Sequence, residues 1–211
     1  MLLLTFQLAF AHKPSFGDTY VDSASAYQIL DPDVSIVVYQ ALDCDSSELW
    51  MEFDVEPGKE LYIQVGVPVI DRLSDYRPSV AVVSSGLGLD SDLPFEVPDG
   101  MGANIYHAED AHADFYEPFT QTESWIYIEE MVVIPEGGKG YIVAWNPQGT
   151  TGKLWVSTGT VEDFSDSSVS DFIYWMEAVN NFHETGRYDS PPTTLETDCA
   201  AAVDEAEIAG K

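Results

Sequence analysis

The stretch YIVAWNPQGTTGKLWVSTG, residues 141–159, constrains the fold more than any other part of the chain. Two runs of aromatic and β-branched residues, 141–145 and 153–158, flank a Pro/Gly-rich turn at 146–152, and such runs fit a pleated, half-buried surface. The pattern predicts a long hairpin, which is not stable alone in water and needs a sheet to join. The sheet is legible upstream. In residues 49–55, Leu49, Met51, Phe53 and Val55 alternate with Trp50, Glu52 and Asp54, so one set faces a core and the other faces water. After the turn EPGK at 56–59, Leu61, Ile63, Val65 and Val67 repeat the alternation until Pro68, which predicts a second hairpin. Residues 35–42, 79–84 and 125–134 read as further strands. Short strands separated by Pro, Gly and Asp turns predict a mainly β fold, an antiparallel jelly-roll-like β-sandwich.

The remaining segments are assigned by their departures from this rhythm. Residues 12–26 show no periodicity and read as an extended arm along the domain. Residues 85–123 carry Gly86, Gly88, Pro94, Pro98, Gly100, Gly102 and Pro118 and read as an irregular insertion. Segments of that kind are commonly functional or disordered, and Phe95, Tyr106, Phe115, Tyr116 and Phe119 predict that this one packs down. Beyond residue 160 the period changes. Val169, Phe172, Ile173, Met176, Val179 and Phe182 recur at three- and four-residue steps, the stripe of an amphipathic helix within 161–186 that docks on the sandwich. Serines and aspartates at 165–170 supply N-caps, and Gly186 ends the helix. Residues 187–211 have the composition of a disordered acidic tail. The domain layout is therefore a sandwich over 12–160, with 85–123 inserted, and a C-terminal helix.

Residues 1–11 are apolar apart from Thr5 and Gln7, and Ala9 and Ala11 occupy the two small-residue positions of a signal peptidase site. The expected mature N-terminus is His12, and the expected location is secreted, periplasmic or on the cell surface. The apolar run is too short to span a bilayer. In an oxidising compartment the two cysteines, Cys44 and Cys199, are compatible with one disulfide. With 37 Asp and Glu against 8 Lys and Arg, the formal charge is −29. That field argues against nucleic acid as a partner and favours cations or a basic protein.

The runs ELWMEFDVEPGKELYIQVGV, SVAVVS, EGGKGYIVAW and TGKLWVSTG together resemble the bacterial pre-peptidase C-terminal domain, over about residues 48–158. The resemblance implies a jelly-roll-like sandwich that accompanies other activities in exported proteins. It carries no catalytic residue over.

No catalytic constellation emerges from the motifs. There is no G-x-S-x-G elbow, phosphate loop or dinucleotide fingerprint, and the acids are too numerous to single out an acid–base pair. The reading is a non-catalytic binding or adhesion module with an extracellular ligand, a polysaccharide among the candidates. Its ligand-binding residues would be Trp125, Tyr127, Trp145, Asn146 and Trp155, whose rings and amide suit sugars if alternation exposes them. The first alternative is an extracytoplasmic copper-binding protein. A mature His12 would offer α-amine and imidazole to Cu(II), with His107, Asp110 and His112 as further ligands. Asp110 and His112 resemble the Asp-x-His pair of CopC-type copper carriers. Ca(II) on Glu109, Asp110 and Asp114 is also compatible with the oxygen chemistry. The second alternative is an accessory domain of a secreted hydrolase.

Overall fold

The computed structural model describes residues 12–188 apart from positions 18, 89 and 91. The expected signal segment, the tail from 189 onward and Cys199 lie outside the described residues. The strands are β1 (Lys13–Gly17), β2 (Tyr27–Gln28), β3 (Ile36–Leu42), β4 (Glu48–Val55), β5 (Lys59–Pro68), β6 (Ser79–Ser84), β7 (Gly102–His107), β8 (Ala113–Glu117), β9 (Thr122–Ile134), β10 (Gly138–Trp145) and β11 (Gly152–Thr158), followed by the helix α1 (Val169–Phe182). They form a six-stranded sheet in the order β1-β3-β11-β5-β9-β8 and a five-stranded sheet in the order β2-β4-β10-β6-β7.

Both hairpins expected from the sequence are arches instead. β10 pairs with β4 and β6, whereas β11 pairs with β3 and β5 in the other sheet. β4 and β5 are split between the sheets in the same way. Alternation buries every second residue whether the next strand lies beside the first or across the core from it, so the period of two cannot distinguish the arrangements. Across the core, Leu49, Met51 and Phe53 of β4 meet Leu61, Ile63 and Val65 of β5 within one buried cluster, which Val80, Val82, Ile142, Leu154 and Val156 complete. Each such side chain contributes roughly 1.5–3 kcal/mol on burial.

The sheets are mixed rather than purely antiparallel. Within the N-terminal arm β1 pairs parallel with β3, and just beyond the arm β2 pairs parallel with β4. The segment 85–123 is likewise not wholly irregular. It supplies β7 at the edge of the smaller sheet and β8 at the edge of the larger one, where β8 pairs with the start of β9. Its remaining loop covers the outer face of the smaller sheet. Phe95 packs edge-on at 4.9 Å from Trp50 and 5.7 Å from Trp145, with Leu93, Val97 and Met101 around it.

The outer face of the larger sheet is closed by α1. Val37, Tyr39 and Trp155 form a cluster with Val179, flanked by Phe16, Phe115 and Phe182. The helix begins at a capping box. Ser168 accepts from the Asp171 amide while the Asp171 carboxylate accepts from the Ser168 amide, which satisfies two otherwise orphaned donors. The docked side is Trp175, Val179 and Asn180. Val169 and Ile173, which the sequence assigns to the buried stripe, are 77% and 63% exposed. Room for Trp155 comes from Gly66 directly across the pair from it: a Cβ there would collide with the indole ring.

One ion group fastens the helix terminus. Lys153 of β11 is buried at 1% relative exposure, and its Nζ lies 2.7 Å from Glu184 Oε1 and donates to Phe182 O at 2.9 Å. Arg72 donates to both oxygens of the same carboxylate at 2.7 and 2.6 Å. Burial lowers the Lys153 ammonium below its usual range, and Glu184 restores part of that. Burial alone would raise the Glu184 carboxyl, but hydrogen bonds from Arg72 and Lys153 and their charges bring it down on balance.

Candidate functional site

Two places gather chemistry-bearing side chains. The first is a cavity beneath α1, lined by His12, Tyr39, Glu117, Ser124, Trp155 and His183 among others. His183 is held in one tautomer. Its Nδ1 donates to Val179 O at 2.9 Å and its Nε2 accepts from the Ser124 hydroxyl at 3.1 Å. Ser124 Oγ in turn accepts from Trp155 Nε1 at 3.0 Å. Burial is the main reason that the His183 imidazole falls to about 4. His12 is lowered by burial too, with Glu162 opposing, and its Nδ1 hydrogen-bonds Ser35 Oγ. Burial raises the Glu117 carboxyl. The free volume is about 30 Å³, enough for a water or two and too little for a sugar ring. Trp155, His183 and Ser124 thus form a satisfied internal network rather than a ligand pocket.

The second place lies at the rim of the larger sheet and is built by a bulge. β9 pairs with β5 so that Val65 faces Ile128 and Gly66 faces Ile126, leaving Tyr127 as the extra residue. A bulge re-aims a side chain locally, and here Trp125 and Tyr127 both pack against the margin of the main core while remaining half-buried. The His112 ring stands 5.7 Å from Trp125 and 5.4 Å from Tyr127. Arg77 sits over the Tyr127 ring at 4.7 Å. Its Nη1 donates to the Tyr127 hydroxyl at 2.9 Å and to Ser74 O at 2.8 Å. Since the phenol oxygen accepts from Arg77, its own proton remains available to donate. Burial raises the Tyr127 phenol, and Arg77 offsets part of that, so the hydroxyl is protonated at neutral pH. Arg77 Nε is buried without a hydrogen-bond acceptor among the described residues, with Asp110 Oδ1 at 3.9 Å.

The structure therefore divides the residues singled out from the sequence. Trp125, Tyr127, Asp110 and His112 meet at this rim, joined by Arg77. Arg77 was missed, and its signal is that the loop at 71–78 carries Arg72 and Arg77, two of the three arginines in a chain with 37 Asp and Glu. Trp145 and Trp155 are not exposed platforms, since they are 4% and 3% exposed: each lies on a sheet face that a loop or α1 covers. Asn146 is spent on its own turn, donating to Thr150 O at 2.9 Å. His107 is on β7, where its Nδ1 hydrogen-bonds Ser79 Oγ at 2.8 Å. His12 belongs to the cavity under α1. Among the described residues no three of His, Cys, Asp and Glu stand close enough to hold a metal ion, so His12, His107, Asp110 and His112 do not converge on one centre. The same holds for Glu109, Asp110 and Asp114. Cys44 is disulfide-bonded, while its expected partner Cys199 lies outside the described residues. No helix among the described residues is long and apolar enough to cross a membrane.

No family model matches the chain, and no curated protein matches it. Among solved structures it aligns with CorA, described as a surface-associated copper-binding protein important in Methylomicrobium album BG8 copper acquisition. That alignment has 12% identity over 72% of this chain and 99% of that one, with a TM-score of 0.32. A likeness at that level carries no argument about fold or function here.

The buried His183 generates a pH prediction. Its folded value of about 4 lies below the ordinary 6.5, so between those limits the unfolded chain binds more protons and stability falls as pH falls. The loss approaches about 3 kcal/mol once pH is below 4. Glu117, with its raised carboxyl, works in the opposite direction, so comparison with His183→Gln isolates the histidine. Urea unfolding from pH 7 to pH 4 is expected to show a steeper loss in the wild type than in His183→Gln. Parallel profiles would mean that His183 is not held neutral.

Proposed function

We propose that the protein is a non-catalytic binding module of the secreted or cell-surface kind, and that it takes a carbohydrate at the rim formed by Trp125, Tyr127, His112 and Arg77. The observation that carries this reading is the pairing of a half-buried aromatic surface with a guanidinium whose buried Nε has no acceptor among the described residues. A buried donor without an acceptor costs about 1–3 kcal/mol. A sugar offers an apolar C–H face to the indole and hydroxyls to Arg77 Nε and Tyr127, which is the usual mix of apolar lining and few polar groups at a ligand site. The disulfide at Cys44 and the signal-like residues 1–11 support export. The strand pattern resembling the pre-peptidase C-terminal domain supports an accessory, jelly-roll-like role beside another activity.

Titrating soluble polysaccharides against tryptophan fluorescence tests the reading. A saturable change is expected in the wild type, with affinity about tenfold lower in Trp125→Ala and in Arg77→Met. Retention of full affinity in both variants would overturn it. The copper alternative requires His12 Nδ1, bonded here to Ser35 Oγ, to turn to the metal together with a free terminal amine. It makes a different forecast: a chain beginning at His12 would bind Cu(II) tightly, and one extended by a single residue would not.

A further inference from the structure

The two sheets treat their edges differently. On β7 the outward backbone groups are occupied by the preceding loop: Ala103 N donates to Gly88 O, Asp90 N to Ala103 O, and Ile105 N to Asp90 Oδ2. A loop laid along an edge in this way prevents further strand pairing. Among the described residues β9 has no such cover along its second half. Its pairing with β8 ends where Ile126 meets Ala113, while its pairing with β5 continues to Ile134. Among the described residues, positions 128–134 therefore pair on one side only, and the other side presents unpaired backbone donors and acceptors.

The side chains along this edge are specific. Met131 and Val133, which face Tyr62 and Glu60 across the pair, are 54% and 52% exposed. They form one wall of a groove that Pro32, Gly58 and Tyr62 continue. Acids flank that apolar strip, and Lys59, which also lines the groove, is paired with Asp33. Glu129 accepts from the Tyr62 hydroxyl at 3.1 Å, and Glu60 is exposed beside Val133. Glu130 faces Ile63, so it lies on the core side of the strand, yet it remains exposed at the open rim. An inward-pointing edge charge disfavours pairing with a second copy of the same edge, and two chains of charge −29 repel each other further.

We propose that the open edge of β9 over residues 128–134 is a strand-addition site for an extended, lysine- or arginine-bearing segment of a partner protein. The segment pairs its backbone with β9, rests alternate apolar side chains on Met131 and Val133, and turns the intervening cations to the other face of the strand, against Glu130. Backbone pairing supplies affinity and the alternating side chains supply choice of partner.

A fluorescein-labelled octapeptide of alternating lysine and valine, titrated into the intact chain by anisotropy, tests this. Saturable binding is expected. It should weaken about tenfold when Met131→Thr and Val133→Thr are combined, threonine being chosen because it suits an exposed strand. Binding should vanish for the glutamate-for-lysine peptide and for a lysine–valine peptide N-methylated at alternate amides. Equal binding of the N-methylated peptide would reduce the effect to adsorption by charge and overturn the proposal. Wild-type affinity in the double variant, with its circular dichroism unchanged, would do the same. Dimerisation of the protein alone through this edge, seen by sedimentation and lost in the double variant, would assign the edge to a second copy instead.

Discussion

A lysine buried in the central strand of a sheet is the constraint that most of this structure answers to. Lys153 lies near the start of β11, opposite Ala41 of β3, with its ammonium out of water, a placement costing several kcal/mol unless a counter-charge and hydrogen bonds meet it. Glu184 and Phe182 O meet it, and both lie at or just beyond the end of α1. Arg72, from the loop after β5, completes the charge balance on Glu184. The ion group fixes where the helix must end, and the cluster of Val37, Tyr39, Trp155 and Val179 fixes which side it presents. Ionic contacts of this kind add little net stability over apolar packing, but removing one partner strands the other. Their consequence here is register.

Once α1 is seated and the loop bearing Phe95 is packed on the opposite sheet, the aromatic clusters on both outer faces of the sandwich are covered. Surface for recognition remains at the rims and along uncovered strand edges. The bulge at Tyr127 prepares one rim by placing Tyr127 on the same side as Trp125, beside Arg77. The second half of β9 leaves the other opening, with an apolar strip among acids. A single long strand thus carries both features, because β8 covers only its beginning.

Much of the local structure was legible in the sequence. The strand positions around 49–67, 79–84 and 141–158, the helix and its N-capping region, and the downward packing of Phe95 all follow from periodicity and residue type. The connectivity did not follow. Two stretches that read as hairpins cross between sheets, since an alternating pattern is satisfied equally by a neighbour in the sheet and by a strand across the core. The same limit misplaced Trp145 and Trp155: alternation puts them on the face away from the main core, and only tertiary structure reveals that a loop and a helix cover those faces. Val169 and Ile173 fit the helical stripe by spacing, yet the docked side is set by Trp175, Val179 and Asn180. At the candidate site Trp125, Tyr127 and His112 were visible as residue types. Their meeting with Arg77 depends on a one-residue bulge and on the path of residues 108–112, neither of which has a sequence period.

The buried ion group makes α1 an integral layer of the fold, a property that backbone hydrogen exchange reads out. If the helix and the larger sheet form one cooperative unit, the amides of α1 exchange through the same opening as those of β11. In Glu184→Gln both lose protection together, by about 3–5 kcal/mol, because Lys153 is left buried without its counter-charge. Exchange of the α1 amides near the rate of an unstructured peptide, with β11 fully protected in both proteins, would mean that α1 is not locked to the sheet.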